Sequence, residues 1–293
     1  MKIGEKLIKP FAVSSGKDFC LSSVPTDGRD ELKIDRDAAE KMLELGIERL
    51  SAMQERLYAE NRQSLLLVFQ AMDAAGKDST IKRVMSGVNP QGCQVFSFKA
   101  PSAEELDHDF LWRCVRRLPE RGRIGIFNRS YYEEVLAVRV HPAFLEAQRL
   151  PEAVTSQDLW RQRLEDIRRF EDYLARQGTL VLKFFLNVSK DEQKERFLER
   201  LDDPEKHWKF APSDLETRRH WSAYMQAYEA AIRATASPQA PWYVVPADRK
   251  WLTRAVVVSA IVEALEALNP RYPTIDPDTL AHFAEYRAQL MAD

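Results

Sequence analysis

Cysteine is scarce in this 293-residue chain, and the three present, Cys20, Cys93 and Cys114, stand far apart. An odd number without paired spacing argues against a disulfide framework or a zinc site, and for plain thiols in a reducing compartment. His108, His207, His220 and His282 show no metal-ligand spacing either. Long apolar runs are missing too. Nothing is long enough to cross a bilayer and nothing reads as a secretory signal, so a cytoplasmic protein away from membranes is the expectation. Nor is there an excess of one charge: 43 Lys and Arg against 45 Asp and Glu leave a net charge of −2. That balance implies no general attraction to nucleic acid or an anionic membrane, although the cations are clustered and local fields matter more than the total. Repeats and low-complexity tracts are absent.

An apolar share of 45% is enough for a substantial core. The length fits one large α/β domain or two small ones, and a single domain over 1–293 is expected. The chain is organised around Leu65-Leu66-Leu67-Val68-Phe69-Gln70-Ala71-Met72-Asp73-Ala74-Ala75-Gly76-Lys77-Asp78-Ser79-Thr80-Ile81-Lys82-Arg83. A short apolar run, a loop of small residues and a basic amphipathic segment predict a buried strand, a tight turn and a helix N-terminus. Such a turn aims backbone N–H groups and the positive helix end at one point, which suits a phosphate. Lys77 adds a mobile charge. The pattern is near a P-loop, with Ala71 at the first Gly position and Asp78 where a Ser or Thr would hold magnesium. Asp73 sets a carboxylate inside the loop, which makes sense if a cation stands between it and the phosphates. The plain alternative is a helix start capped by Asp73 with Lys77 in solvent.

Residues 1–34 mix Gly, Pro, Ser and charge and read as an N-terminal arm. An amphipathic helix is predicted over 35–60, then the loop strand and a helix to about residue 86. Residues 87–92 form a turn cluster, 93–98 a strand, 103–118 a helix and 123–127 a strand. A charged helix over 157–177, a strand over 179–186 and a helix capped by Ser189 follow. Residues 202–235, basic and aromatic, read as a lid insert. A strand at 242–246, an apolar helix over 251–268 and a C-terminal helix within 276–293 complete the chain. Strands alternating with helices predict a three-layer α/β/α fold with a parallel sheet.

In such a sheet ligands bind beyond the carboxyl ends of the strands, which sets the 71–79 loop beside 128–134. Asp73, Asp78, Glu133 and Glu134 bring carboxylates there, and Lys77, Lys82, Arg83 and Arg129 bring cations. Phosphoryl transfer needs that mixture and no covalent nucleophile. Arg139 is divided between site and surface, and His141 reads as structural. Arg196 and Arg200, four apart, share one helix face that either meets a polyanion or meets water. Trp221, Tyr224 and Tyr228 sit at core spacing rather than as base-stacking residues.

Together, Ala71-Met72-Asp73-Ala74-Ala75-Gly76-Lys77-Asp78, Ser86-Gly87-Val88-Asn89-Pro90-Gln91-Gly92 and Phe127-Asn128-Arg129-Ser130-Tyr131-Tyr132-Glu133-Glu134-Val135-Leu136 resemble the polyphosphate kinase 2 family. Glu199-Arg200-Leu201-Asp202-Asp203-Pro204-Glu205-Lys206-His207-Trp208-Lys209-Phe210 resembles its lid segment, and the likeness spans about residues 35–272. The resemblance implies a P-loop kinase-like fold with a helical lid. It also implies Mg2+ (with Mn2+ as a substitute) and transfer between inorganic polyphosphate and AMP, ADP or ATP. Asp73, Lys77, Asn128, Arg129 and Glu133 become its catalytic group, with Asp73 and Glu133 on the metal. Ala75, Gly76, Lys77, Asp78, Ser79, Lys82, Arg83, Arg129, Arg200 and Lys209 fall to polyphosphate, and Gly87, Asn89, Glu133, Arg139 and Lys206 to the nucleotide. Asn128 stands where many members carry Asp. With Glu133 and the Tyr-Tyr-Glu-Glu-Val run, this is similar to the class III subgroup, which accepts AMP as well as ADP. A homo-oligomer, dimer or tetramer, and no specific nucleic-acid partner are further expectations. The rivals are an ATP-dependent small-molecule kinase of the same fold and a non-catalytic nucleotide-binding switch. No Asn-Lys-x-Asp guanine-reading motif supports the second.

Overall fold

The run 64–71 has no polar face, so as a strand it can be satisfied only by cover on both sides. A computed structural model describes residues 3–28, 34–155 and 157–292. In it this run, β2 (Ser64–Ala71), is buried along its whole length. Each fully buried Leu, Val or Phe in it contributes about 1.5–3 kcal/mol. The other strands are β1 (Ala12–Val13), β3 (Cys93–Ser97), β4 (Ile124–Asn128), β5 (Thr179–Asn187) and β6 (Trp242–Pro246). Their order across the sheet is β1-β6-β5-β2-β4-β3. All neighbours are parallel except β1, which pairs antiparallel with β6.

Helices of at least eight residues are α1 (Arg36–Glu60), α2 (Lys77–Val84), α3 (Leu159–Arg176), α4 (Lys190–Asp202), α5 (Pro212–Arg219), α6 (Trp221–Thr235), α7 (Lys250–Leu268) and α8 (Phe283–Ala292). The Asp35 side chain caps α1 by accepting from the Ala38 N–H, and Asn61 ends it in the left-handed region. α1 and α2 pack with α7. At Gly46 the approach is so close that a Cβ would stand 2.8 Å from Val258 Cγ1. α3 packs with α6 and β5. The expected layered α/β fold is the one observed.

Several stretches differ from their expected form. The helix expected over 103–118 is two short pieces, Ala103–Leu106 and Trp112–Val115. Between them Asp109 draws the Leu111 N–H onto its own carboxylate, a local bond that competes with helix. The N-terminal arm is partly core: Leu7, Ile8, Phe11 and Leu21 are buried. Its residues 1, 2 and 29–33 lie outside the described residues, as does residue 293. The C-terminal segment is Pro277–Ala281 and α8, parted at His282. The expected lid segment divides by burial. Residues 203–220 are exposed or half-buried, whereas α6 sends Tyr224, Ala227, Tyr228, Ala231 and Ile232 into the core. Tyr228 lies on Phe185 with ring centroids 4.1 Å apart.

A polar knot sits inside this apolar interior. Lys183, at the middle of β5, is fully buried, with its ammonium 2.5 Å from Glu171 of α3 and 2.8 Å from the Thr235 carbonyl. Tyr131 donates to the same Glu171 carboxylate at 2.9 Å, and the Tyr132 hydroxyl lies 2.9 Å from it. The knot therefore ties the chain just after β4 to the helix beneath it.

Candidate active site

From Ala71 the chain turns into α2 through two left-handed residues, Ala74 at φ 60° and Gly76 at φ 102°. Glycine carries no Cβ penalty at the second. At the first, alanine costs about 1–2 kcal/mol, which the surrounding contacts offset. Lys77 folds back on the strand end, its ammonium 3.0 Å from the Ala71 carbonyl and 3.5 Å from that of Met72. It is 8% exposed. Burial, and next the charge of Arg129, lower its pKa from 10.5 to about 8.

β4 pairs with β2 from Leu65↔Ile124 to Phe69↔Asn128, so its carboxyl end delivers Asn128 and Arg129 beside the loop. Arg129 is left-handed, at φ 63°, with its N–H on the Phe69 carbonyl. Its guanidinium bridges two carboxylates, Asp73 at 2.6 Å and Glu133 at 3.2 Å. Glu133 and then Asp73 hold its pKa well above the usual arginine range, with burial opposing. The other Glu133 oxygen accepts from Gln70 at 2.8 Å, and Ser130 donates to Gln70 at 3.2 Å. Asn128 donates to Asp78 at 2.7 Å. Lys77, Asp73, Arg129, Glu133, Asn128 and Asp78 thus converge at the carboxyl ends of β2 and β4.

The back of the loop is held by two residues of α4 that sequence reading left in doubt or passed over. Gln193 donates to the Asp73 carbonyl at 2.9 Å. Arg196, buried rather than solvated, donates to the carbonyls of Ala74, Ala75, Ala247 and Asp248. Its charge organises backbone, not ligand. A buried face shared with Phe197 was the available signal, and a Gln and an Arg in a charged helix conceal it.

The remaining expected site residues are spread out. Ala75 is buried in the loop, and Ser79 donates to the Gly76 carbonyl at 3.0 Å. Lys82 and Arg83 are exposed further along α2. Arg200 is engaged within the expected lid, 3.6 Å from Asp214 and 3.2 Å from the Lys209 carbonyl. Lys206 pairs with Asp203 at 2.8 Å, Lys209 stacks on Trp208, and Arg139 is exposed. Gly87 and Asn89 are not brought to this cluster. They precede β3, whose far end, Ser97, is the one level with Asn128. Gly87 abuts Ile47, and the Asn89 N–H donates to Gln54 of α1.

A profile of the family described as Polyphosphate kinase 2 matches residues 33–273. The chain belongs to the polyphosphate kinase 2 family. It is 50% identical over 284 residues to a protein of Rhodopseudomonas palustris named ADP-polyphosphate phosphotransferase, covering 97% of this chain and 98% of that one. It is 45% identical over 272 residues to the AMP/ADP-polyphosphate phosphotransferase of Meiothermus ruber, covering 93% and 97%. The crystal structure of polyphosphate kinase 2 from Arthrobacter aurescens TC1 superposes with a TM-score of 0.89 at 37% identity, over 100% of this chain and 99% of that one. As a member of this family the chain is a phosphotransferase, and its fold is the P-loop kinase-like one.

Phosphoryl transfer between polyanions calls for a divalent metal. Among the described residues no three His, Cys, Asp or Glu side chains gather into a metal cage. One or two carboxylates plus substrate phosphates are the usual holding for a hard, strongly hydrated cation, so the absence of a cage is no misfit. The local field agrees. Asp214, Tyr224 and Tyr228 all have raised pKa values, first through burial and then through Asp73 or Glu133. That negative field is what a metal-bearing substrate would relieve. Asp73 and Glu133 are the residues that would hold the metal, which would shield the phosphates from these carboxylates.

The low pKa of Lys77 has a kinetic consequence. Capture of an anionic donor needs the ammonium form, so kcat/KM for the donor should fall as pH rises through about 8. That ratio reports groups of the free enzyme. Lys77→Arg keeps its proton across the range and should lose this alkaline limb from whatever activity remains. A limb that persists in the arginine variant would assign it to another group.

Proposed function

We propose that this protein transfers the terminal phosphate of inorganic polyphosphate to AMP and to ADP, giving ADP and ATP, with Mg2+ as the metal. An oxygen of the acceptor's terminal phosphate attacks the terminal phosphorus of the chain in line. The P–O bond to the next phosphorus breaks, and polyphosphate leaves one unit shorter. Lys77 and Arg129 neutralise charge spread over the moving phosphoryl group. Asp73 and Glu133 fix Arg129 and face the metal. Asn128, held by Asp78, orients an oxygen without adding charge, a role suited to the smaller acceptor, AMP. Residues 203–220, with Arg200, Lys206 and Lys209, form the segment that closes over the donor. The observation that carries this reading is Arg129, bridged between Asp73 and Glu133 beside the buried Lys77. Self-association belongs to the same proposal, supported by exposed Leu280, Phe283, Tyr286, Leu290 and Met291.

The experiment is nucleotide formation by purified protein with Mg2+ and polyphosphate, run separately with ADP and with AMP. Product from both is expected. Product from ADP alone would retain the donor and remove AMP from the proposal. Turnover with ATP as donor to a small molecule, and none with polyphosphate, would overturn it.

A further inference from the structure

Gln193 has a second partner besides the loop. Its Nε2 donates to the Asp73 carbonyl at 2.9 Å, and its Oε1 accepts from Arg218 Nη1, also at 2.9 Å. The same Nη1 reaches the Lys190 carbonyl at 2.6 Å, so both of its hydrogens are spent on α4. Arg218 stands in the last turn of α5, inside the exposed or half-buried segment 203–220. Asp73, its carbonyl held from behind, sends its carboxylate forward to Arg129 at 2.6 Å. A buried side chain therefore lies between the expected lid and the residue at the centre of the site.

An amide suits that place because it donates with one end and accepts with the other. Its two partners fix which end is which, since a carbonyl can only accept and a guanidinium can only donate. A donor onto the amide oxygen also polarises its N–H groups, so Arg218 strengthens the hold on Asp73. Arg196 binds the Ala74 and Ala75 carbonyls but hydrogen-bonds nothing in 203–220. Arg200, one turn further, engages Asp214 and the Lys209 carbonyl but no loop carbonyl. Of these three residues, only Gln193 meets both sides. The Arg218 contact is also one that can open. Among the described residues no carboxylate pairs with Arg218, and a cation on neutral oxygens is held less firmly than one in a carboxylate pair.

We infer that Gln193 is a positioning residue for phosphoryl transfer, which carries the seating of the 203–220 segment, through Arg218, to the Asp73 end of the phosphate loop. This rests on the reading of 203–220 as the closing segment, and the identity of the donor does not enter it. With Arg218 seated, Asp73 and the Arg129 bridged to it are held in place. With Arg218 withdrawn, the Asp73 carbonyl keeps a weaker bond and the site is looser until the donor has been enclosed. Such coupling confines turnover to the closed state and leaves the phosphoryl group little chance of transfer to water.

The test follows amide hydrogen exchange and steady-state kinetics in wild type, Arg218→Ala, Gln193→Glu, Gln193→Met and the double variant of Arg218→Ala with Gln193→Met. Arg218→Ala should speed exchange about tenfold at loop residues 73–76, to which Arg218 makes no hydrogen bond. Gln193→Met should lower kcat by about 10–100-fold, the usual cost of losing a group that orients an active side chain, and should change KM far less. Gln193→Glu still accepts from Arg218 but cannot donate to the Asp73 carbonyl, so it should lose kcat as Gln193→Met does. Arg218→Lys, which can still donate to the Gln193 oxygen, should recover most of what Arg218→Ala loses. The double variant should be no slower than Gln193→Met alone, since the same chain of contacts is cut twice. Losses that multiply in the double variant, or loop exchange unaltered by Arg218→Ala, would overturn the inference. If Gln193→Met folds poorly, Arg218, half-buried at the surface, reads the coupling by itself. Exchange over 203–220 in wild type, with and without tripolyphosphate, separates the two readings. No protection there would remove the closing segment and this coupling together. Protection there, with a loop that ignores Arg218→Ala, would remove the coupling alone.

Discussion

Arg129→Ala is expected to lower kcat by about 10²–10³-fold, the effect of deleting one preorganised donor aimed at charge that develops in the transition state. Two things are lost at once: the cation, and the bridge that keeps Asp73 and Glu133 from facing each other unshielded. Arg129→Lys should recover little, because an ammonium is a single point charge and cannot hold two carboxylates in the fork geometry of a guanidinium. Steady-state kinetics with polyphosphate and ADP would show it. Near-normal turnover in Arg129→Ala would remove this residue from the chemistry and leave Lys77 as the cation of the loop.

The second large effect is on stability. Lys183→Met should destabilise the fold by about 3–5 kcal/mol, because it leaves Glu171 as a buried carboxylate without its cation. Replacing both members, Lys183→Met with Glu171→Leu, should recover much of that loss, since an apolar pair of similar volume is often neutral in such a place. Urea unfolding of the two variants and wild type makes the comparison. Equal loss in the single and double variants would mean that the tyrosines, not the ion pair, carry the knot. The knot also lies under Tyr131 and Tyr132, so a loosened core should be felt two residues away at Arg129.

The strands were legible because burial writes itself into composition: 64–71 has no polar face and 242–246 is apolar between turn residues. The loop was legible because small residues before a lysine leave few other uses for such a turn. What escaped was decided by tertiary placement. Arg196 and Arg200 stand four apart on α4, yet one is buried in backbone carbonyls and the other engages Asp214 and Lys209 near the surface. Periodicity puts them on one face without saying what that face meets. Gly87 and Asn89 follow the loop helix closely in sequence, but α2 carries the chain to the other end of the sheet before β3 starts back. The extent of the exposed 203–220 segment was equally hidden, since the aromatic spacing of α6 fits a lid helix as well as a core one.

The central place of β2 also sets an order in time. Its Ser64 meets Thr179 of β5 across a separation of 115 residues, and its other neighbour, β4, also lies downstream. During synthesis from the N-terminus, the strand leading into the phosphate loop is made early, and its pairing is complete only after β4 and then β5 have left the ribosome. Contacts of that range make folding slow and the waiting strand prone to wrong partners. The loop is therefore fully braced only when most of the chain exists, because Gln193 and Arg196, which hold its carbonyls, follow β5.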